Sequence, residues 1–375
     1  MNRRRVTVGV AAAGVVAGAA GLGVLAMPAG AGPAPDLPAV SAESLVESVV
    51  TAKPAAFGGT VEVANDLGIP ALPGMPQLSD GDSKVRMWTD GEGRFRMQLP
   101  AGSAERTVVD DGAQVWSWNS EDQTVTKLPH DAEDRRRVDE AGKSSDPVAL
   151  SREVVSALQE FSEITVDGTA RVANRPVYEL VLTPKPAERT VLREVRVAVD
   201  AELRMPLRVA LLTNGTAAPA AQIGFSELNV GPQDAGLFSF TPPAGAEVKE
   251  ETAAEPTEQD KAKAEEALGQ ISQQVVGTGW DTVLVAKATP ELLTQFEQSG
   301  QRPQTDRGPR RAEGDVPQGD IQEMIKQLGK PVSGDWGSGT LITSRVGGAL
   351  IADDGRVALG AVPEQVLVEA IGQVK

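Results

Sequence analysis

The chain has no cysteine and a single histidine. The first absence excludes disulfides, iron–sulfur clusters, cysteine zinc sites, thiol nucleophiles and a lipidated-cysteine anchor. The second excludes His-pair metal sites and leaves any Ser-His-Asp triad dependent on His130 alone. Positive charge is also scarce: 36 Lys and Arg stand against 52 Asp and Glu, a net charge of −16. Without Arg3, Arg4 and Arg5 the balance becomes 33 against 52, or −19. Such a chain carries no electrostatic footprint for nucleic acid. Aromatic residues make up 3% of its 375 residues, so a core must be built from Val, Leu, Ala and Ile.

Catalytic patterns are missing too. His130 stands at a strand exit beside a run of charges, the setting of a solvated loop residue. Gly337-Ser338-Gly339 is not a nucleophile elbow, because Trp336 occupies the place of the first glycine. Gly277-Thr278-Gly279 lacks the third glycine of a dinucleotide fingerprint. The acidic pairs Asp80/Asp82, Asp110/Asp111 and Asp353/Asp354 each adjoin glycine, where turns use Asp to hydrogen-bond their own backbone. Nothing here assigns a catalytic residue, a metal-ligand set or a cofactor.

What is present begins with an address. Met1 to Arg5 is a basic n-region, Val6 to Met27 is 22 uncharged residues, and Ala29-Gly30-Ala31 is a cleavage-type sequence. Twelve of those 22 residues are Gly or Ala, which favours a signal peptide over a membrane anchor. Either reading of residues 1–31 places the remainder outside the cytoplasm. Residues 32–39 form a Pro-rich spacer. Ser44-Leu45-Val46-Glu47 reads as a capping box opening a helix whose inner face carries Leu45 and Val49 and which ends before Pro54.

From Gly58 the period switches to two. Strands are predicted over 59–65, 84–90, 93–99, 105–110, 112–119 and 122–128, with Asp90-Gly91 and Asp111-Gly112 as hairpin turns. A charged loop and a helix from Pro147 to Phe161 follow. Further strands are predicted over 162–173, 176–183, 188–200, 202–213, 219–230 and 236–241, with Pro206 marking an edge or a bulge. Residues 249–265 read as a linker rich in Glu, Ala, Lys and Thr. The region 266–375 reads as a small α+β module, with strands near 280–287, 338–346, 348–353 and 356–361. Its helices are expected near 290–298, 319–328 and 363–372, and a disordered loop over 299–320.

Strand parity groups the apolar residues. Phe95, Met97 and Leu99 share a face, as do Trp116 and Trp118, and Tyr178, Leu180 and Leu182. Val195, Val197 and Val199 form another row, and Leu203, Met205, Leu207 and Val209 another. In a curled sheet most of these rows line one concave wall, with Leu45 and Val49 above them, and an acyl chain is a fitting occupant. The tryptophan pair fits two roles, filling core or lining that cavity.

The runs Arg94-Phe95-Arg96-Met97-Gln98-Leu99-Pro100 and Val108 to Asn119, then Gln123-Thr124-Val125-Thr126, resemble the lipoprotein-carrier (LolA) superfamily. Tyr178 to Lys185 resembles that superfamily's Y-x-L-x-x-x-P-K strand, and Phe238 to Ala246 its F-x-F-x-P-P-x-G closing segment. The likeness covers residues 40–248. It implies a mainly β fold, a curved antiparallel half-barrel of about eleven strands covered by helices. It also implies a cavity for lipid or lipoprotein acyl chains, while the missing nucleophile, metal and phosphate motifs point to a non-enzymatic protein. The linker and C-terminal module resemble the RseB-type regulators of the same superfamily. That likeness implies a second role, a sensor engaging a membrane-protein partner such as an anti-sigma factor or an ABC transporter.

Overall fold

The computed structural model describes residues 34–68, 81–101, 104–129, 155–250, 271–288 and 329–374. The export segment, His130, the start of the Pro147 helix, most of the linker and the expected helices at 290–298 and 319–328 lie outside these residues. So does the loop 299–320.

Helix α1 (Ala42–Val50) starts one turn earlier than the sequence suggests. Ser41 is in extended conformation and its hydroxyl accepts the Ser44 amide at 3.1 Å, so Ser41 is the cap. Ser44 itself lies within the helix. The α1 face that turns inward is the expected one: Leu45 is fully buried.

The first sheet has twelve strands. In chain order these are β1 (Phe57–Asn65), β2 (Gly81–Thr89), β3 (Phe95–Ala101), β4 (Ala104–Asp110), β5 (Gln114–Asn119), β6 (Thr124–Pro129), β7 (Ser162–Val172), β8 (Arg175–Pro184), β9 (Leu192–Asp200), β10 (Pro206–Thr213), β11 (Ala221–Val230) and β12 (Glu247–Glu250). Their spatial order is β12-β6-β5-β4-β3-β2-β1-β11-β10-β9-β8-β7. Two antiparallel meanders therefore meet where β1 pairs with β11. The sheet is open and curved, and β7 reaches β11 although three strands lie between them.

Local chemistry explains the turns. The Asp90 carboxylate accepts the amides of Glu92 and Arg94 at 2.8 and 3.0 Å. Asp111 accepts those of Ala113 and Gln114 at 2.8 and 2.9 Å. Gly91, with φ of 76°, is required twice over, since a Cβ there would fall 2.9 Å from the Ala56 nitrogen.

The expected strand at 236–241 is absent. Asp234 caps a 3₁₀ turn at Ala235–Phe238 instead, and the chain then crosses the sheet surface before β12 joins β6 in parallel. Alternating aromatics served packing there, not pleating: Phe238 is buried.

The second sheet comprises β13 (Ile271–Val276), β14 (Val283–Ala288), β15 (Lys330–Gly334), β16 (Gly337–Ser344), β17 (Gly347–Ala352) and β18 (Arg356–Gly360). Every pairing in its order β13-β14-β18-β17-β16-β15 is antiparallel. Helix α2 (Glu364–Gln373) lies on one face and buries Leu367 and Ile371 against Val283, Val285 and Leu350. Strands β13 and β15 are short and polar, which is why periodicity missed them.

The sheets meet through the β8–β9 loop. Val191 N–H and the Thr190 hydroxyl both donate to the Ala361 carbonyl, at 3.1 and 2.6 Å, and Arg189 pairs with Glu369 at 2.7 Å. The Trp280 amide donates to Glu188 and its indole to Ser162, each at 2.8 Å. A second contact joins Arg345 to Asp66 and to the Leu67 carbonyl.

Candidate functional site

Residues alternate between the faces of a strand, so the pairing register assigns each side chain to a face. One line of direct partners runs Val63, Ile223, Val209, Val197, Leu180, Val166 across β1, β11, β10, β9, β8 and β7. All six are apolar. Parallel to it run Leu211, Val195, Leu182 and Ile164, and the line Phe225, Val61, Val85. On β2 and β3, Met87 faces Met97, and Phe95 and Leu99 share its side.

One residue along each strand the chemistry inverts. Glu179, Ala198, Arg208, Gly224, Glu62 and Lys84 are successive partners on the opposite face. Arg208 pairs with Glu179 at 2.5 Å and Lys84 with Glu62 at 2.7 Å. Arg196, also on that face, bridges Glu194 and Asp167. The sheet thus has one wall free of charge along these lines and a second wall where ion pairs alternate with buried Val109, Val177, Val181 and Ala210.

Among the described residues, the apolar wall is roofed at its β7–β9 end. There α1 sets Leu45 on Tyr178, Leu180 and Val199, with Val46, Val49 and Val197 around them. The chain before α1 is tied down as well: Tyr178 Oη donates to the Pro38 carbonyl at 3.0 Å and Thr169 to that of Pro35 at 2.7 Å. Beyond this roof no described element covers the wall, and Ile223 is 49% exposed.

Of the residues expected to line a cavity, Phe95, Met97, Leu99, Tyr178, Leu180, Val195, Val197 and Val209 share this wall, and Leu45 and Val49 stand over it. Trp116 and Trp118 do not. Their partners run through Val109, Arg96 and Trp88 to Gly58, and through Thr107, Gln98 and Arg86 to Thr60, all on the charged face. Trp116 packs there on Phe240 with ring centroids 5.7 Å apart and donates to Asp111 at 3.0 Å. Arg94 covers Phe238. Trp116, with Arg94 and Arg96, is therefore the bed for the returning segment around Leu237 to Phe240.

Leu207 is the other exception. It falls in the register shift between Pro206 and Arg208 and packs in a separate cluster with Val172, Val177 and Ala198. Parity fails at a bulge because two residues oppose one. Val63, Val85, Met87 and Ile223 belong to the wall but were not singled out. Their own alternation was the available signal.

Residues 88–256 match the family model of the MucB/RseB N-terminal domain. No curated protein matches the chain significantly. Among solved structures, the Pseudomonas aeruginosa MucA/MucB complex is similar at 15% identity and a TM-score of 0.38, covering 88% of this chain and 96% of that one. A conserved protein from Thermus thermophilus aligns at 13% identity and a TM-score of 0.33, covering 56% of this chain and 99% of that one. A LolA superfamily protein from Nitrosomonas europaea aligns at 10% identity and a TM-score of 0.22, covering 54% and 99%. The family-model match runs from Trp88 in β2 to beyond β12, and the LolA-like motifs of the sequence all fall inside it.

Proposed function

We propose that the chain is an extracytoplasmic, non-enzymatic binding protein whose apolar wall receives an acyl chain of a lipid or lipoprotein. The observation that carries this reading is the six-strand apolar line from Val63 to Val166, roofed at one end by α1 and, among the described residues, uncovered at the other. Burying a methylene contributes about 0.8 kcal/mol, so eight to ten of them supply roughly 6–8 kcal/mol before the costs of association, enough for micromolar binding.

Calorimetric titration of the full-length, delipidated protein with a fatty acid and with an acylated peptide tests this. Saturable binding is expected, with Met97→Glu and Ile223→Glu each weakening it at least tenfold while the protein still folds. Both positions are partly exposed, so a carboxylate there disturbs the ligand more than the fold. Intrinsic tryptophan fluorescence should respond little, because Trp88, Trp116 and Trp118 all lie on the charged face. Absence of binding in folded protein would overturn the acyl reading. The family match over 88–256 favours one second role, docking on a membrane-protein partner.

A further inference from the structure

The second sheet has a face that nothing described covers. Helix α2 occupies the side of Val283, Val285 and Leu350. On the other side Val275, Leu284, Leu359, Ala349 and Ile342 are successive cross-strand partners. The adjacent row holds Ala286, Val357 and Ile351. Neither row contains a charge, although 23% of the chain is charged. Val275 is 63% exposed, Leu359 46% and Leu284 38%. Contiguous exposed apolar surface of this kind marks something that packs there.

The connectivity points to the occupant. Strand β14 ends at residue 288 and β15 begins at 330, on the far side of β18, β17 and β16. Counting antiparallel steps along the sheet order makes β14 and β15 parallel to each other. The chain between them is therefore a crossover, which must pass over one face. Crossovers between parallel strands are right-handed in about 98% of cases. The Asp353 amide donates to the Ser338 carbonyl, so residues of β17 with the parity of Asp353 (Ile351 and Ala349) direct their amides toward β16. For L-residues this fixes which face those side chains occupy, and the right-handed path from β14 to β15 runs over that uncovered face.

We propose that residues 289–328 dock on this face as the crossover and supply its missing hydrophobic partner. The segment has apolar residues at helical spacing near both ends: Leu292, Leu293 and Phe296, then Ile321, Met324 and Ile325. The face is then an internal interface rather than a landing site for another protein.

The absence of native cysteine allows a clean test in the full-length protein. Leu359→Cys is combined in turn with Phe296→Cys, Met324→Cys and Ile325→Cys, and each pair is oxidised under mild conditions. At least one pair should close within a single chain, seen as a shifted, reducible monomer band, because disulfides form only at Cα separations below about 7 Å. In parallel, Met324→Asp with Ile325→Asp should raise binding of a hydrophobic dye at least twofold while β-sheet content is kept. Closure between chains would identify a second copy as the occupant and overturn the proposal, as would closure of no pair.

Discussion

Asp200→Ala should lower the stability of the first sheet by about 3–5 kcal/mol, the range for removing one partner of a buried ion pair. Asp200 is fully buried where β9 turns into β10. One oxygen accepts the amides of Glu202 and Leu203 at 2.9 and 2.7 Å, and both oxygens take the Arg175 guanidinium, at 2.5 and 3.0 Å. Alanine strips both amides of their acceptor and leaves the guanidinium with Glu202 as its remaining carboxylate partner. Asn can keep an amide contact, so Asp200→Asn should cost less.

The same carboxyl gives the acid response its sign. Burial pushes its pKa up, but Arg175 and the two amides outweigh that and hold it below the ordinary carboxylate range. A group with a depressed folded pKa contributes stability above its unfolded pKa, near 4, and loses it as pH falls through the folded value. Asp90 and Asp111 are shifted in the same direction. Denaturant midpoints should therefore be flat from about pH 5 to 8, as far as these groups control them, and fall below about pH 4. Asp200→Ala should make that fall shallower. An unchanged slope would show that Asp200 does not control it.

Arg356→Leu should cost the second sheet about 3 kcal/mol, since each buried acceptor left unsatisfied costs about 1–3 kcal/mol. Arg356 is 6% exposed. Its guanidinium donates to the carbonyls of Ile371 and Val374 at 2.7 and 2.6 Å and to that of Trp336 at 2.6 Å, while its Nε meets Asp354 at 2.7 Å. The fork thus ties the C-terminal end of α2, where a cation is favourable, to the β15–β16 turn. A lysine has one point of charge and no fork, so Arg356→Lys should recover less than half the loss. Hydrogen exchange at α2 amides should accelerate while that of β8 and β9 stays as it was. Equal acceleration in both sheets would refute this assignment.

The legible parts of the fold were those with strong local signals. Alternation located the meander strands, and Asp-Gly pairs located their turns. Parity grouped Tyr178 with Leu180 and Val195 with Val197, because unbulged strands keep a strict period of two. Which face each group occupied was not legible, since it depends on pairing across β1 and β11, more than 150 residues apart in sequence. That is why Trp116 and Trp118 were grouped correctly yet their side stayed open. Leu207 failed for a local reason, the extra residue at the Pro206 bulge. The Phe238 and Phe240 alternation imitated a strand because an arm lying across aromatic rings also repeats every second residue.

The two walls of the first sheet have a consequence for how a protein with so many strands can take up hydrocarbon. Barrels that span outer membranes are apolar outside and polar within. Here the sheet is open, with the Val63 to Val166 line on the side that α1 partly covers and the ladder of Glu179, Arg208, Glu62 and Lys84 on the other. Inserting the apolar side into a bilayer would press the exposed Glu43 of α1 into hydrocarbon. Acyl-chain binding, as proposed above, therefore requires a hydrocarbon chain to leave the bilayer for the protein.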